Sequence, residues 1–281
     1  MKTKFFWEGL KNENIACYLQ PIYEVSSGRM NVAEALFRAS DRDGKFYDPE
    51  QLIKLAEDMD FVSRIDLWML EEICKHRLDF YMNEIKRVNV NLSPKSYLDR
   101  DLMHEIKRIG NQYEVDPGHI WFELTELSEI EDKDEISNIF MNLTNQGFCF
   151  ALDDFGKGNS NLLRLLSFPF NCIKLDKEVI WSLHENPKTA DFVKLLIQFA
   201  NAHGICVTAE GVETRAQAES LIEMGCHYLQ GYYLSKPLPM ERFFEFANKN
   251  RGKKFEFYED IDATDYDVIL DGWVFGGARL S

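Results

Sequence analysis

Short apolar runs separated by turn signals recur along the chain, and eight of them read as strands: residues 16–25, 30–38, 87–93, 120–126, 148–154, 171–176, 205–211 and 228–234. Helical patterns lie between them, among them PEQLIKLAEDMDF, DEISNIFMNLTNQG, TADFVKLLIQFANAHG and ETRAQAESLIEMG. From the second strand onward the two periods alternate, which predicts parallel strands joined by helical crossovers. Eight such strands predict an α/β fold of the modified TIM (β/α)8 barrel type rather than an open sheet. Only SSGR separates the first two strands. A parallel crossover needs about a dozen residues, so these two form an antiparallel hairpin and the first strand runs backwards.

Side-chain parity sharpens the picture, because alternate strand residues face opposite sides. Val88 and Val90 oppose Asn89 and Asn91, Phe122 and Leu124 oppose Glu123, and Phe150 and Leu152 oppose Cys149, Ala151 and Asp153. Ile173 and Leu175 likewise oppose Cys172, Lys174 and Asp176, and Val207 and Ala209 oppose Thr208 and Glu210. The greasy phase packs under helices and the polar phase faces the barrel axis. Asn91, Glu123, Asp153, Lys174 and Glu210 therefore converge at the C-terminal ends of five strands, where such barrels carry their chemistry. That many acids cannot all ionise beside one lysine without further positive charge, so the cluster predicts divalent metal. An all-oxygen donor set favours Mg²⁺ or Mn²⁺ over zinc. The adjacent pair Asp153 and Asp154 can bridge two ions, an arrangement suited to attack of water on a phosphodiester. In isolation, an Asp-Asp pair before glycine reads as an ordinary turn.

Composition narrows the partners. The 281 residues are 45% hydrophobic with a formal charge of -15, which argues against a DNA or RNA polymer as partner. A small anionic ligand remains compatible if metal reverses the local charge. No run of about eighteen apolar residues and no leader-like start is present, so no membrane segment and a cytoplasmic location are expected. Six cysteines without a CxxC pair read as reduced thiols; Cys149, Cys172 and Cys206, in the inward phase, read as small apolar fillers. The character changes near residue 248, which divides a barrel domain, 1–247, from a C-terminal extension, 248–281, rich in acids and aromatics.

Seven segments in order, EALFR (34–38), VNLS (90–93), ELTE (123–126), LDDFG (152–156), IKLD (173–176), AEGVE (209–213) and LQGYYLSKPLP (229–239), resemble the EAL-domain family, and YLQPI (18–22) belongs with them. The resemblance implies a barrel with a reversed first strand that hydrolyses the bacterial second messenger cyclic di-GMP to linear pGpG with Mg²⁺ or Mn²⁺, two ions in all. It implies Glu34, Asn91, Glu123 and Asp153 as ligands of the first metal, with Asp153 bridging to a second held also by Asp154. Lys174 would contact the attacking water, Glu210 would stand at the metal centre as the proposed general base, and Gln230 would hold the water network. Glu126 and Glu213 match supporting glutamates. Gln20, Leu36, Arg38, Ser93 and Asp176 fall where the family contacts the nucleotide. The loop after DDFG departs from the family pattern at residues 157–161, a segment tied in the family to dimerisation; a homodimer is an expectation. The competing readings are a catalytically silent cyclic di-GMP receptor and an unrelated metal-dependent barrel lyase; the intact motifs favour the phosphodiesterase.

Overall fold

The computed structural model describes residues 14–41, 43–99, 101–124, 133–157 and 162–255. Eight strands, β1 Asn14–Glu24, β2 Arg29–Ser40, β3 Arg87–Leu92, β4 Ile120–Leu124, β5 Cys149–Phe155, β6 Cys172–Leu175, β7 Cys206–Ala209 and β8 Tyr228–Leu229, close into a ring. The order is β2-β3-β4-β5-β6-β7-β8-β1, and β1 also pairs with β2. Pairings from β2 to β8 are parallel. The first strand is the exception: β1 is antiparallel to β2, from Asn14↔Ser40 to Glu24↔Arg29, and antiparallel to β8 as well. The short connection expected from SSGR is a turn through Gly28, whose φ of 67° suits glycine.

The last strand is shorter than its apolar sequence suggests. The run at 228–234 keeps strand geometry only over Tyr228–Leu229, and a second two-residue strand, β9 Leu238–Pro239, pairs with Tyr18 and Leu19 farther along the same edge of β1. The cause is Gly231. A Cβ there would overlap the Val212 carbonyl oxygen and amide nitrogen, so the chain leaves the sheet at a point where two backbones touch. β7 also ends one residue before Glu210, and β4 before residue 125, beyond which the expected strand lies outside the described residues.

Helices wrap the ring: α1 Pro49–Asp58, α2 Val62–Lys75, α3 Arg77–Met82, α4 Leu102–Gln112, α5 Lys133–Thr144, α6 Leu162–Ser167, α7 Lys177–Trp181, α8 Pro187–Ala202, α9 Arg215–Glu223 and α10 Met240–Asn250. Their starts follow local chemistry. Asp48 accepts from the Gln51 N–H ahead of Pro49 in α1, Asn186 accepts from Lys188 before Pro187 in α8, and Thr214 forms a reciprocal capping box with Gln217 at α9. The greasy strand phase is the core these helices cover: Val88, Val90, Phe122, Phe150, Ile173 and Val207 are each at most 2% exposed. Burying a side chain such as Phe122 is worth about 1.5–3 kcal/mol. After α10 the chain runs on to Phe255, whose ring packs on Tyr23 and Tyr233. Residues 256–281, most of the expected extension, lie outside the described residues. No described helix is long and apolar enough to cross a membrane.

Candidate active site

The polar phase meets the axis in two levels. Near the floor, the N-terminal ends of the parallel strands, Arg87 lies between the rings of Trp121 and Tyr228, 3.9 and 4.4 Å from their centroids. Near the mouth, Lys174 on β6 gathers the acids. Its Nζ stands 2.6 Å from Glu210, 2.7 Å from Glu123, 3.1 Å from Asp153 and 3.5 Å from Glu34. Lys174 is 1% exposed and Glu123 fully buried, so these charges interact with little screening.

One ammonium among four carboxylates leaves an excess of negative charge, and the titration of the group reflects it. Burial, then repulsion from Glu34, holds the Glu123 carboxyl well above the usual range despite Lys174. Burial and the Asp153 charge raise Glu210 in the same way. Glu34 goes the other way: burial opposes its charge, but Lys174 and hydrogen bonds from Gln230 and Asn91 lower its pKa. Burial would lower Lys174, yet the surrounding acids lift it well above its ordinary value. Asp154 is pushed up to about 6 by burial and by Asp153.

Neighbouring amides fix the acids in place. Asn89 donates to Glu123 at 2.7 Å, Asn91 donates to Glu34 at 3.3 Å, and Gln230 donates to both Glu34 and Gln20. Gln20 in turn donates to the Ser235 carbonyl at 3.0 Å, tying β1 to the segment between β8 and β9. Asp153 and Asp154 cannot both face the axis on a regular strand. The register between β5 and β6 slips after Leu152, and Asp154 takes a φ of 53°, so a local bulge turns the second carboxylate toward the same cavity.

These groups suit a hard divalent cation. Carboxylate oxygens of Asp153, Asp154 and Glu210 come within 4.8 Å of one another, and the buried Glu123 Oε2 and Asp153 Oδ1 atoms share the single Lys174 ammonium at 2.7 and 3.1 Å, which leaves negative charge for a cation to offset. Every donor is oxygen, the chemistry of Mg²⁺, Ca²⁺ or Mn²⁺ sites.

The cluster sits where two cavities join. One, of about 420 Å³, is bounded by Gln20, Lys174, Glu210, Glu213, Trp181 and Tyr232. The other, of about 550 Å³, is bounded by Arg38, Asn91, Ser93, Asp66, Ile53 and Met69. Leu36, Glu50, Asp153 and Asp154 line both. The mouth is thus a cleft with two lobes and the acids at its waist.

The family model of the EAL domain matches residues 6–237. The chain belongs to the EAL domain family. This EAL domain is 32% identical over 240 residues to the signaling protein YkoW of Bacillus subtilis, covering 85% of the chain and 30% of that protein. It is 30% identical over 241 residues to the cyclic di-GMP phosphodiesterase PdeL of Escherichia coli, covering 83% of the chain and 65% of that protein. The chain therefore spans between about a third and two thirds of the length of these relatives. Among solved structures, the MucR phosphodiesterase of Pseudomonas aeruginosa in complex with c-di-GMP superposes with a TM-score of 0.77 at 28% identity, over 86% of the chain and 100% of the solved one.

In this EAL domain the candidate residues Gln20, Glu34, Leu36, Asp153, Asp154, Lys174, Asp176, Glu210, Glu213 and Gln230 line the first lobe, and Leu36, Arg38, Asn91 and Ser93 the second. Glu123 lies beneath them on Lys174. Asp176 is also the N-cap of α7, accepting from the Glu178 N–H at 2.8 Å. Glu126 and most of the altered loop, 158–161, fall outside the described residues. Sequence reasoning missed Asp66. It accepts from the Ser93 N–H at 2.8 Å and the Ser96 hydroxyl at 2.6 Å, and burial raises its carboxyl to about 7. The signal was present: Asp66 interrupts the apolar stripe Val62, Ile65, Met69, Leu70 and Ile73 of α2, and a lone acid on a buried face has a partner or a task.

Proposed function

We propose that this EAL domain hydrolyses cyclic di-GMP to linear pGpG with two Mg²⁺ or Mn²⁺ ions. The observation that carries the reading is the cleft itself: two lobes meeting at a waist of convergent acids match a ligand made of two like nucleotide halves joined by phosphodiesters. The similarity to PdeL, a cyclic di-GMP phosphodiesterase, and to the MucR phosphodiesterase solved with c-di-GMP supports the same substrate.

Glu34, Asn91, Glu123 and Asp153 would hold the first ion, and Asp153, Asp154 and Glu210 the second. Bound metal supplies positive charge for the phosphate oxygens and an acidified water. The residues do the rest. Lys174, locked among acids at 2.6–3.5 Å, holds a proton at Nζ throughout and presents a fixed charge beside the scissile bond. Glu210, carried just past the end of β7, would take the proton of the attacking water once bound cation offsets the burial and the Asp153 charge that raise its pKa. Gln230 keeps Glu34 from turning by donating to it while also donating to Gln20. Arg38 lines the second lobe and would offer its guanidinium to a phosphate oxygen, and Leu36 lies between the lobes as an apolar spacer. Glu126 and Glu213 would support the loops on either side, and a homodimer and a cytoplasmic setting accompany this reading.

The test is incubation of the purified chain with cyclic di-GMP and Mg²⁺ or Mn²⁺, followed by chromatography of the nucleotides, beside Glu34→Ala. Appearance of pGpG with wild type alone supports the proposal. Binding without turnover would replace it with the receptor reading.

A further inference from the structure

We propose that Cys172 and Cys206 form a redox-active dithiol on the barrel floor, with Arg87 as its counter-ion, that takes hydroperoxides and closes to a disulfide. The starting observation is Arg87. It is 5% exposed, its Nε and Nη2 have no hydrogen-bond partner among the described residues, and no described carboxylate forms an ion pair with it. Its Nη1 instead donates to the Cys206 sulfur at 3.7 Å. A buried guanidinium needs a nearby anion, and in this position a thiolate supplies one.

The two thiols are placed to share that role. Cys172 and Cys206 are direct partners across the parallel β6–β7 pairing. Neighbouring strands stand about 4.8 Å apart, inside the Cα separation of about 4.4–6.8 Å that a disulfide spans, and both side chains point to the axis, where they converge. Cys172 also meets the Thr208 hydroxyl at 3.4 Å, on the strand that carries Cys206. Burial opposes charge on Cys172, but the neighbouring Cys206 thiol and the Arg87 charge bring its pKa down to about 6, while Cys206 keeps the remaining proton. The other groups that face the pair are Tyr228 on β8, Lys174 one step above on β6 and Cys226 before β8; Cys149 on β5 and Glu24 on β1 feel Arg87, and Glu24 is held by Ser27 and Asn31. Cys172 is fully buried and Cys206 partly exposed at the floor, so an oxidant arrives at Cys206.

The chemistry balances with the hydroperoxide as oxidant. With the shared proton moved to Cys172, the Cys206 thiolate attacks one peroxide oxygen; an S–O bond forms, the O–O bond breaks, and the departing alkoxide or hydroxide takes a proton from water. The Cys172 thiolate then attacks the sulfenic sulfur; S–S forms, S–O breaks, and the hydroxide leaves as water with the proton Cys172 released. The thiols lose two electrons and the peroxide gains them.

The full chain is treated with hydrogen peroxide, and its peptides are separated without reductant. The expected result is a Cys172–Cys206 linked peptide and a chain lighter by two hydrogen atoms, both reversed by dithiothreitol. Alkylation of Cys206 by iodoacetamide, which passes through the same shift of the shared proton to Cys172 and so follows the first ionisation of the pair, should show a midpoint below the usual thiol value of about 8.5, moving up by a unit or more in Arg87→Met. If Arg87→Met does not fold, Cys206→Ser serves: it abolishes the linked peptide while its other cysteines label as before. A linkage through Cys149, no linkage at all, or a midpoint at the ordinary thiol value overturns the proposal. None of these readouts depends on the nucleotide chemistry of the mouth.

Discussion

Replacing Asp66 by asparagine separates the charge of that carboxyl from its shape. Asp66 is buried on the apolar face of α2 and accepts from the Ser93 N–H and Ser96 hydroxyl, contacts that an amide oxygen can keep. Its pKa rises from 3.8 in the ordinary range to about 7, first through burial and then, against those two hydrogen bonds, with help from Glu57. A carboxyl whose folded pKa is raised binds more protons folded than unfolded between the two values, so stability falls as pH climbs through that window and levels off above it. At 1.36 kcal/mol for each unit, the whole window costs the wild type about 4 kcal/mol, of which about 2–3 kcal/mol is lost between pH 5 and pH 8. The substituted amide has no proton to lose and escapes this slope. Urea melts of both proteins in chelator at pH 5, 6, 7 and 8 should therefore diverge, with Asp66→Asn gaining about 2–3 kcal/mol on the wild type across the series. The difference cancels the titration of Asp154 and the Lys174 acids, which both proteins share. Parallel curves, or a mutant that loses ground as pH rises, would refute the argument.

Three further outcomes follow from the same geometry. Mn²⁺ at a hundredfold excess over its dissociation constant should raise the wild-type thermal midpoint by about 5–10 °C and Glu123→Gln by much less, read by calorimetry; equal shifts would remove Glu123 from the metal site. Lys174→Met leaves four carboxylates facing one another, so hydrolysis should vanish and the urea midpoint in chelator at pH 8 should correspond to a loss of about 3–5 kcal/mol; an unchanged midpoint would mean the acids are not ionised around it. Gly231→Ala would drive a Cβ into the Val212 backbone, and a cost of about 1–3 kcal/mol or more is expected in the same melts, with wild-type stability as the contrary result.

Much of this architecture was legible because a barrel strand has two sides with different chemistry. The alternation of Phe150 and Leu152 with Ala151 and Asp153 marks the axis without any tertiary information, and the four residues between the first two strands determine the reversal. Two features lay beyond a strict period of two. Asp154 reaches the site through a bulge and a left-handed backbone, and Gly231 ends β8 through a contact with a segment about twenty residues away in sequence, which periodicity does not encode. Asp66 escaped because it enters the cleft from a helix of the outer layer, outside the strand phase that guided the reading. The floor thiols escaped for a different reason: each cysteine fits the role of apolar filler until Arg87 is seen beside them.

The reversed first strand also governs how such a domain is wired into a longer polypeptide. In a barrel whose strands all run the same way, the chain enters at the floor, remote from the chemistry. Here Asn14 pairs with Ser40 at the mouth, so the entry point lies on the rim of the cleft, while Phe255 leaves at the opposite end, where its N–H meets the Gly28 carbonyl. Gln20, six residues along β1 from that entry, already touches Gln230 and Ser235. A pull on Asn14 would act directly on a strand that carries a site residue, whereas a pull on Phe255 would act at the far pole, with the whole barrel between it and the ligand.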